Sequence, residues 1–159
     1  MEYIIREIKK TEYPLLRDFL YESIFVPEGA PPPPRSVLDI PEFQVYLLGF
    51  GTEKHDKGLV AEVDNRVVGA IWVRIMNDFG HVDDETPSCA ISLHKEYRGM
   101  GIGTALMEKM LDSLRCEGYE RMSLSVQKAN YAFKMYCKVG FEIFDEKDEE
   151  YIMVNRLQG

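Results

Sequence analysis

The run Arg98-Gly99-Met100-Gly101-Ile102-Gly103-Thr104 constrains this chain more than any other stretch. It follows an apolar, strand-like segment, Ser88-Cys89-Ala90-Ile91-Ser92-Leu93, and opens a helix-like one, Ala105 to Leu111. Glycines between a strand and a helix start let backbone N–H groups approach a phosphate closely. The first four N–H groups of a helix have no internal partner, and the helix dipole favours an anion there. The segment therefore reads as a pyrophosphate cradle.

The spacing narrows the ligand. A Walker loop ends in Gly-Lys-Ser/Thr, and this run has Gly103-Thr104-Ala105. A dinucleotide fingerprint orders its glycines G-x-G-x-x-G, and the positions 99, 101 and 103 do not fit it from either start. What remains is Arg-x-x-Gly-x-Gly, which Arg98 to Gly103 matches throughout. That pattern closely resembles the acetyl-CoA-binding motif of the GNAT acyltransferase family. A ligand-free glycine-rich turn is the alternative for the run taken by itself.

A second stretch, Val126 to Phe141, resembles the family's Asn … Tyr-x-x-x-Gly-Phe ending. The resemblance implies that Asn130 helps hold the CoA arm. It implies that Tyr136 lies near the thioester sulfur and gives a proton to the departing thiolate. Tyr136 stands six positions after Asn130, where many relatives have seven. One residue turns a helical side chain by about 100°. The structural alternatives are a core tyrosine bonded to a carbonyl and an asparagine capping its own helix. The resemblance further implies that the strand through Ile91, Ser92 and Leu93 parts from its neighbour. Its free main chain would then bind the pantetheine arm, and an N–H there would stabilise the tetrahedral oxyanion. Arg98, Gly99, Met100, Gly101, Ile102, Gly103 and Thr104 complete the implied acetyl-CoA site.

With 159 residues, the chain suits one domain, 1–159, with a real core. Hydrophobic residues make up 45% of it, and no apolar run reaches the length of a membrane helix. The start, Met1 to Glu7, lacks a signal-peptide layout. Cys89, Cys116 and Cys137 are scattered and odd in number, so neither a disulfide framework nor a metal site is expected. These features point to a cytoplasmic, reduced protein. A net charge of −8 with no basic patch argues against nucleic acid as a partner and suits cationic ones, amines included. No membrane partner is expected. Family members are often homodimers, and the sequence shows no interface.

Along the chain, Glu2–Ile8 reads as a strand. Thr11 reads as the N-cap of a helix carrying Leu15, Leu16, Phe19, Leu20 and Ile24. Val26–Arg35, with Pro31 to Pro34, reads as a stiff surface loop, and Glu42–Leu48 as a second short helix. Gly58–Asp64 and Arg66–Met76 read as a hairpin around Asp64-Asn65, with an apolar central strand from Val67 to Val73. Asn77–Glu85 is an acidic loop. After the glycine run comes a helix ended by Gly118. Glu120–Val126 follows as a strand, Asn130–Val139 as a helix, then a strand from Phe141 and a last strand, Tyr151–Leu157. The order βααβββαβαββ implies an α/β (α+β) chain. It has a mixed, largely antiparallel sheet of about seven strands and about four helices, which agrees with the GNAT fold.

The implied reaction is attack of a neutral amine on the acetyl thioester of acetyl-CoA. Alkyl amines are mostly protonated at neutral pH, so a base must take a proton. Some relatives carry a Glu on the strand of Ser123-Leu124-Ser125, where this chain has Ser125 instead. Candidate bases and acceptor contacts are therefore Asp83, Asp84 and Glu85, with His81 beside them; a solvated loop is the alternative. His55 and His94 are given no role. Lys95, Lys128 and Lys134 are read as solvated unless they meet CoA phosphates. The acceptor is expected between the Phe25–Gly51 region and the Asn77–Glu85 loop; it is read as the primary amine of a small molecule, with a peptide amine, a protein N-terminus or lysine, as the alternative. A non-catalytic acyl-CoA sensor is the rival reading, kept open by Ser125 and opposed by Tyr136.

Overall fold

The computed structural model describes residues 2–159. Its centre is a hairpin of β2 (Lys57–Val63) and β3 (Arg66–Arg74). Asp64 and Asn65 join them at φ +50° and +65°, the left-handed pair of a two-residue type I′ turn, which Asp and Asn tolerate. β1 (Ile4–Glu7) pairs antiparallel with β2, and β4 (Ser88–Leu93) antiparallel with β3. β5 (Arg121–Gln127) lies parallel to β4. β7 (Glu150–Arg156) and β6 (Glu142–Glu146) follow antiparallel, giving one seven-stranded sheet ordered β1-β2-β3-β4-β5-β7-β6.

Each face of the sheet carries helices. α3 (Ile102–Cys116) buries Ile102, Leu106, Met107, Met110, Leu111 and Leu114 at helical spacing. These pack on Leu59, Ala61, Ile71 and Val73, and α4 (Ala132–Lys138) sits on the same side. On the other face, α1 (Leu15–Ser23) sets Leu16, Phe19 and Leu20 against Val60, Ala70, Trp72 and Ala90. Successive strand residues point to opposite faces, so β3 is covered on both sides. That explains its unbroken apolar run. Burying each leucine-sized side chain contributes about 1.5–3 kcal/mol.

Two helix boundaries differ from expectation. Thr11 does not cap α1; it lies in a 3₁₀ turn, Lys10–Glu12, and α1 begins at Leu15. Glu12 organises that turn, accepting from the Lys9 N–H at 2.9 Å and pairing with Arg6 at 2.8 Å. The Arg6 guanidinium holds the Glu12 carboxyl down to about 2. The second helix, expected over Glu42–Leu48, is only α2 (Pro41–Gln44). Carbonyls beyond it are taken by β3. Trp72 Nε1–H donates to Tyr46 O, and the Arg74 guanidinium donates to Val45 O and Leu48 O. Arg74 is itself buried and paired with Asp56 at 2.9 Å. The 41–51 segment is thus pinned to the sheet by side chains rather than extended as a helix.

Candidate active site

β4 and β5 share one registered pair, Ser88 with Ser123. Yet β4 stays paired with β3 up to Leu93, and β5 with β7 up to Gln127. The two strands therefore fork. The crotch of the fork is a polar knot. Ser123 N–H donates to Pro87 O at 3.0 Å, and the Ser123 hydroxyl donates to Gly80 O at 2.7 Å. The Ser88 hydroxyl donates to Asp78 Oδ1 at 2.8 Å. Gly80 lies on β5 so closely that a Cβ there would stand 2.9 Å from the main chain of Leu124 and Ser125. Asp78 Oδ2 is buried without a hydrogen bond, and burial pushes this carboxyl above the usual carboxylate range. The adjacent Tyr46 phenol is pushed up by its own burial and by the Asp78 charge.

Beyond the crotch the fork opens into a cleft of about 570 Å³. Cys89, Ala90 and Ile91 form one wall and Leu124 to Gln127 the other. Ile24, Phe25, Phe43 and Phe79 give it an apolar side, with the Phe43 and Phe79 rings edge to face at 5.5 Å. The β6–β7 turn, Lys147 to Glu150, closes the far side.

Tyr136 of α4 reaches this cleft. Its ring packs edge-on against Phe141 at 5.8 Å, and it is 8% exposed. Among the described residues its hydroxyl has no hydrogen-bond partner. Burial, with Cys89 beside it, raises its pKa, so the phenol keeps its proton at neutral pH. A hydroxyl brought to a cleft without a carbonyl to satisfy it differs from the usual buried tyrosine. Asn130 also lines the cleft, and its Oδ1 accepts from Ala132 N–H at 2.9 Å, turning the chain into α4.

The glycine run forms the turn into α3. Gly99 and Gly101 have φ of +78° and +87°, and a Cβ on either would meet nothing within 4 Å. The space in front of the turn is open. The Ala105 N–H bonds to Gly101 O at 3.1 Å; among the described residues the N–H groups of Gly99 to Thr104 have no backbone acceptor. Behind them lies the dipole of a 15-residue helix. Ile102 anchors the helix start in the core, while Met100 is exposed. Arg98 does not point into the turn. Its guanidinium donates to Leu93 O at 3.1 Å and to Glu22 O at 3.1 Å, clamping the end of β4 to the end of α1. Ile91 faces the cleft, Leu93 is core, and the Ser92 hydroxyl donates to Phe19 O at 2.6 Å. The side chains of Ser92 and Leu93 are thus buried and do not line the cleft.

The structure does not bring Asp83, Asp84 and Glu85 to the cleft. Asp83 pairs with Arg121 at 2.5 Å, at the start of β5 and so on the closed side of the fork. The Thr86 hydroxyl, the Glu85 N–H and Arg121 hold its carboxyl below the usual range. The Asp84 side chain is 96% exposed and stands 3.7 Å from His81. His81 Nδ1–H donates to Met76 O. Sequence reasoning missed the 147–150 turn, whose only sign was the acidic run Asp148-Glu149-Glu150 before the last strand. Among the described residues no group of His, Cys, Asp and Glu is arranged to hold a metal ion. No helix among them is long and apolar enough to cross a membrane.

The forked sheet, the open glycine turn and the cleft-facing tyrosine define an acetyl-CoA-dependent acetyltransferase domain. The acetyltransferase (GNAT) family model matches residues 17–141, and the chain belongs to that family. Among similar proteins, an N-alpha-acetyltransferase of Saccharolobus solfataricus is 32% identical over 139 residues, covering 76% of this chain and 82% of that one. The probable N-acetyltransferase camello of Xenopus tropicalis is 35% identical over 86 residues. That match covers 52% of this chain and only 37% of the camello protein. The PaiA N-acetyltransferase of Thermoplasma acidophilum, solved in complex with coenzyme A, superposes with a TM-score of 0.71. It is 18% identical, over 98% of this chain and 99% of that one.

Proposed function

We propose that this chain transfers an acetyl group from acetyl-CoA to a primary amine, with Tyr136 as general acid. The observation that carries the reading is the fork between β4, which runs on into the glycine turn, and β5, with an acidic, apolar-lined cleft between them. The pyrophosphate sits on the N–H groups of Gly99 to Thr104. The pantetheine arm runs along the free edge of β4 at Ile91 to Leu93, with Asn130 across from it. A β4 N–H stabilises the oxyanion that forms as the amine attacks. The thiolate leaves toward Tyr136, which protonates it.

For the acceptor, the apolar wall of Ile24, Phe25, Phe43 and Phe79 suits an amine with an apolar body. A second reading, a protein α-amine, is favoured by the 32% identity to an N-alpha-acetyltransferase. A screen of small amines and unblocked peptides with acetyl-CoA tests both, read as free thiol released and acceptor mass shifted. Turnover of a small amine supports the first reading, and turnover of peptides alone selects the second. Acetyl-CoA binding with no amine turned over contradicts the enzymatic reading.

A further inference from the structure

We infer that the carboxylate of Glu150 receives the acceptor's ammonium group in the cleft and removes its proton. The inference rests on the acetyltransferase reading above.

The strand pattern fixes where Glu150 points. On β7, Met153 lies in the core beneath α3, and Tyr151 packs on Phe133 of α4 at 5.2 Å. Glu150 alternates with Tyr151 and so faces the opposite side, toward α1. On β5, Leu124 and Val126 belong to the α3 core, so Ser125 and Gln127 also face α1. Gln127 is the registered partner of Glu150. The carboxylate thus enters the cleft from the acceptor side, opposite the face on which α3 and α4 lie. Its main chain is held by the turn, because Lys147 N–H donates to Glu150 O at 2.8 Å.

The charges around it leave it free. Glu150 is half-buried and has no ion pair among the described residues. Lys128 is taken by Glu146 at 2.6 Å. Lys147, Asp148 and Glu149 of its own turn are exposed. From the other walls the titratable groups are Tyr136, Cys89 and Tyr46, with Asp78 behind; the first three are pushed up and uncharged at neutral pH. Burial raises the Glu150 carboxyl, opposed by Lys147. A carboxyl raised toward the working pH is a better proton acceptor than an ordinary one. Asp83, Asp84 and Glu85 lie on the closed side of the fork and do not compete.

The proton balance closes. The ammonium gives one proton to Glu150, and the freed nitrogen pair forms the N–C bond. The C–S bond breaks as the tetrahedral adduct collapses, and the thiolate takes the Tyr136 proton. The nitrogen's second proton returns to the phenolate. Glu150 releases its proton to water, so the net products are amide, CoA thiol and one proton.

The test uses the full chain and the amine that turns over fastest in the screen. Acceptor kcat/KM is followed from about pH 6 to pH 10, a range that spans the α-amine and alkylamine pKa values. Glu150→Gln should lose about 10²–10⁴-fold near neutral pH. The loss should shrink as pH approaches the acceptor's own pKa, because the free amine then forms without help. Acetyl-CoA affinity by calorimetry should not change. Glu150→Asp keeps the charge one methylene further back, so it should retain part of the rate and the wild-type shape of the profile. A loss of equal size at every pH, or wild-type rates in Glu150→Gln, overturns the inference while leaving the acetyltransferase reading intact. Absence of turnover with every amine removes that reading, and the inference falls with it.

Discussion

The two sides of the fork are built on different principles. The α3 side offers main chain to a ligand: the unpaired N–H groups of Gly99 to Thr104 and the free edge of β4. The α1 side of the cleft is lined by side chains drawn from α1, the 41–51 segment, the 77–80 loop and the β6–β7 turn. A main-chain site tolerates few residue types, because only glycine leaves the positive φ unstrained and the approach open. A side-chain wall can be rebuilt residue by residue without touching the sheet. On the proposed function, the first side is therefore the one that binds acetyl-CoA, and the second the one that selects the acceptor.

The largest expected effect comes where the two sides meet. Tyr136→Phe should lower kcat by about 10²–10⁴-fold and leave acetyl-CoA affinity nearly unchanged. The ring keeps its packing on Phe141 and loses only an unpartnered hydroxyl. Thioesters with more acidic leaving thiols should show a smaller loss; equal losses for all thioesters would assign Tyr136 to packing.

Gly101→Asp breaks the main-chain side alone. It sets a carboxylate before the pyrophosphate and a side chain at φ +87°, where a non-glycine residue costs about 1–2 kcal/mol. Acetyl-CoA affinity should fall by at least about tenfold, each 1.4 kcal/mol being one decade. Because a Cβ there meets nothing, Gly101→Ala should lose less. Equal losses in the two variants would mean that strain, not anion binding, is what the position governs.

The crotch of the fork offers a stability test. Asp78 has its pKa raised by burial, so the folded state binds its proton more tightly than the unfolded chain does. Its contribution is favourable below the ordinary carboxylate pKa and is lost as pH rises. Asp78→Asn keeps a carbonyl oxygen to accept from Ser88 and removes the charge. Its melting temperature should exceed wild type at pH 7 and converge with it below about pH 4. At this chain length each kcal/mol corresponds to about 2–4 °C. A lower melting point at pH 7 would show that the buried charge is compensated.

The smallest effect is expected from the acidic loop. Replacing Asp83, Asp84 and Glu85 with their amides should shift the acceptor KM by no more than about twofold, since exposed ion pairs contribute about 0–1 kcal/mol. A large rise in acceptor KM would return these residues to the acceptor site.

What could be read in the sequence follows the same division. The hairpin at Asp64-Asn65, the central apolar strand and the turn into α3 are encoded locally, and each appeared close to its place, α3 starting one helical turn earlier than expected. The parting of β4 and β5 was legible only through resemblance, since nothing in Ser88 to Leu93 states which edge is unpaired. Asp83, Asp84 and Glu85, expected at the acceptor, do not line the cleft. Asp83 attracted attention as an unassigned carboxylate, yet Arg121, a distant residue, claims it. Glu150 sat unremarked at a strand end, because its value depends on register with Gln127. The short α2 has the same origin: Trp72 and Arg74 capture carbonyls that a helix would have used.

The central claim is that main chain, in the glycine turn and along the free edge of β4, holds acetyl-CoA. Amide hydrogen exchange, with and without saturating acetyl-CoA, tests it most directly. The account predicts new protection at the amides of Gly99 to Thr104 and along the free edge of β4 through Ile91 to Leu93, with little change at Asp83 to Glu85. Binding that leaves the Gly99 to Thr104 amides exchanging as in the free protein would contradict it.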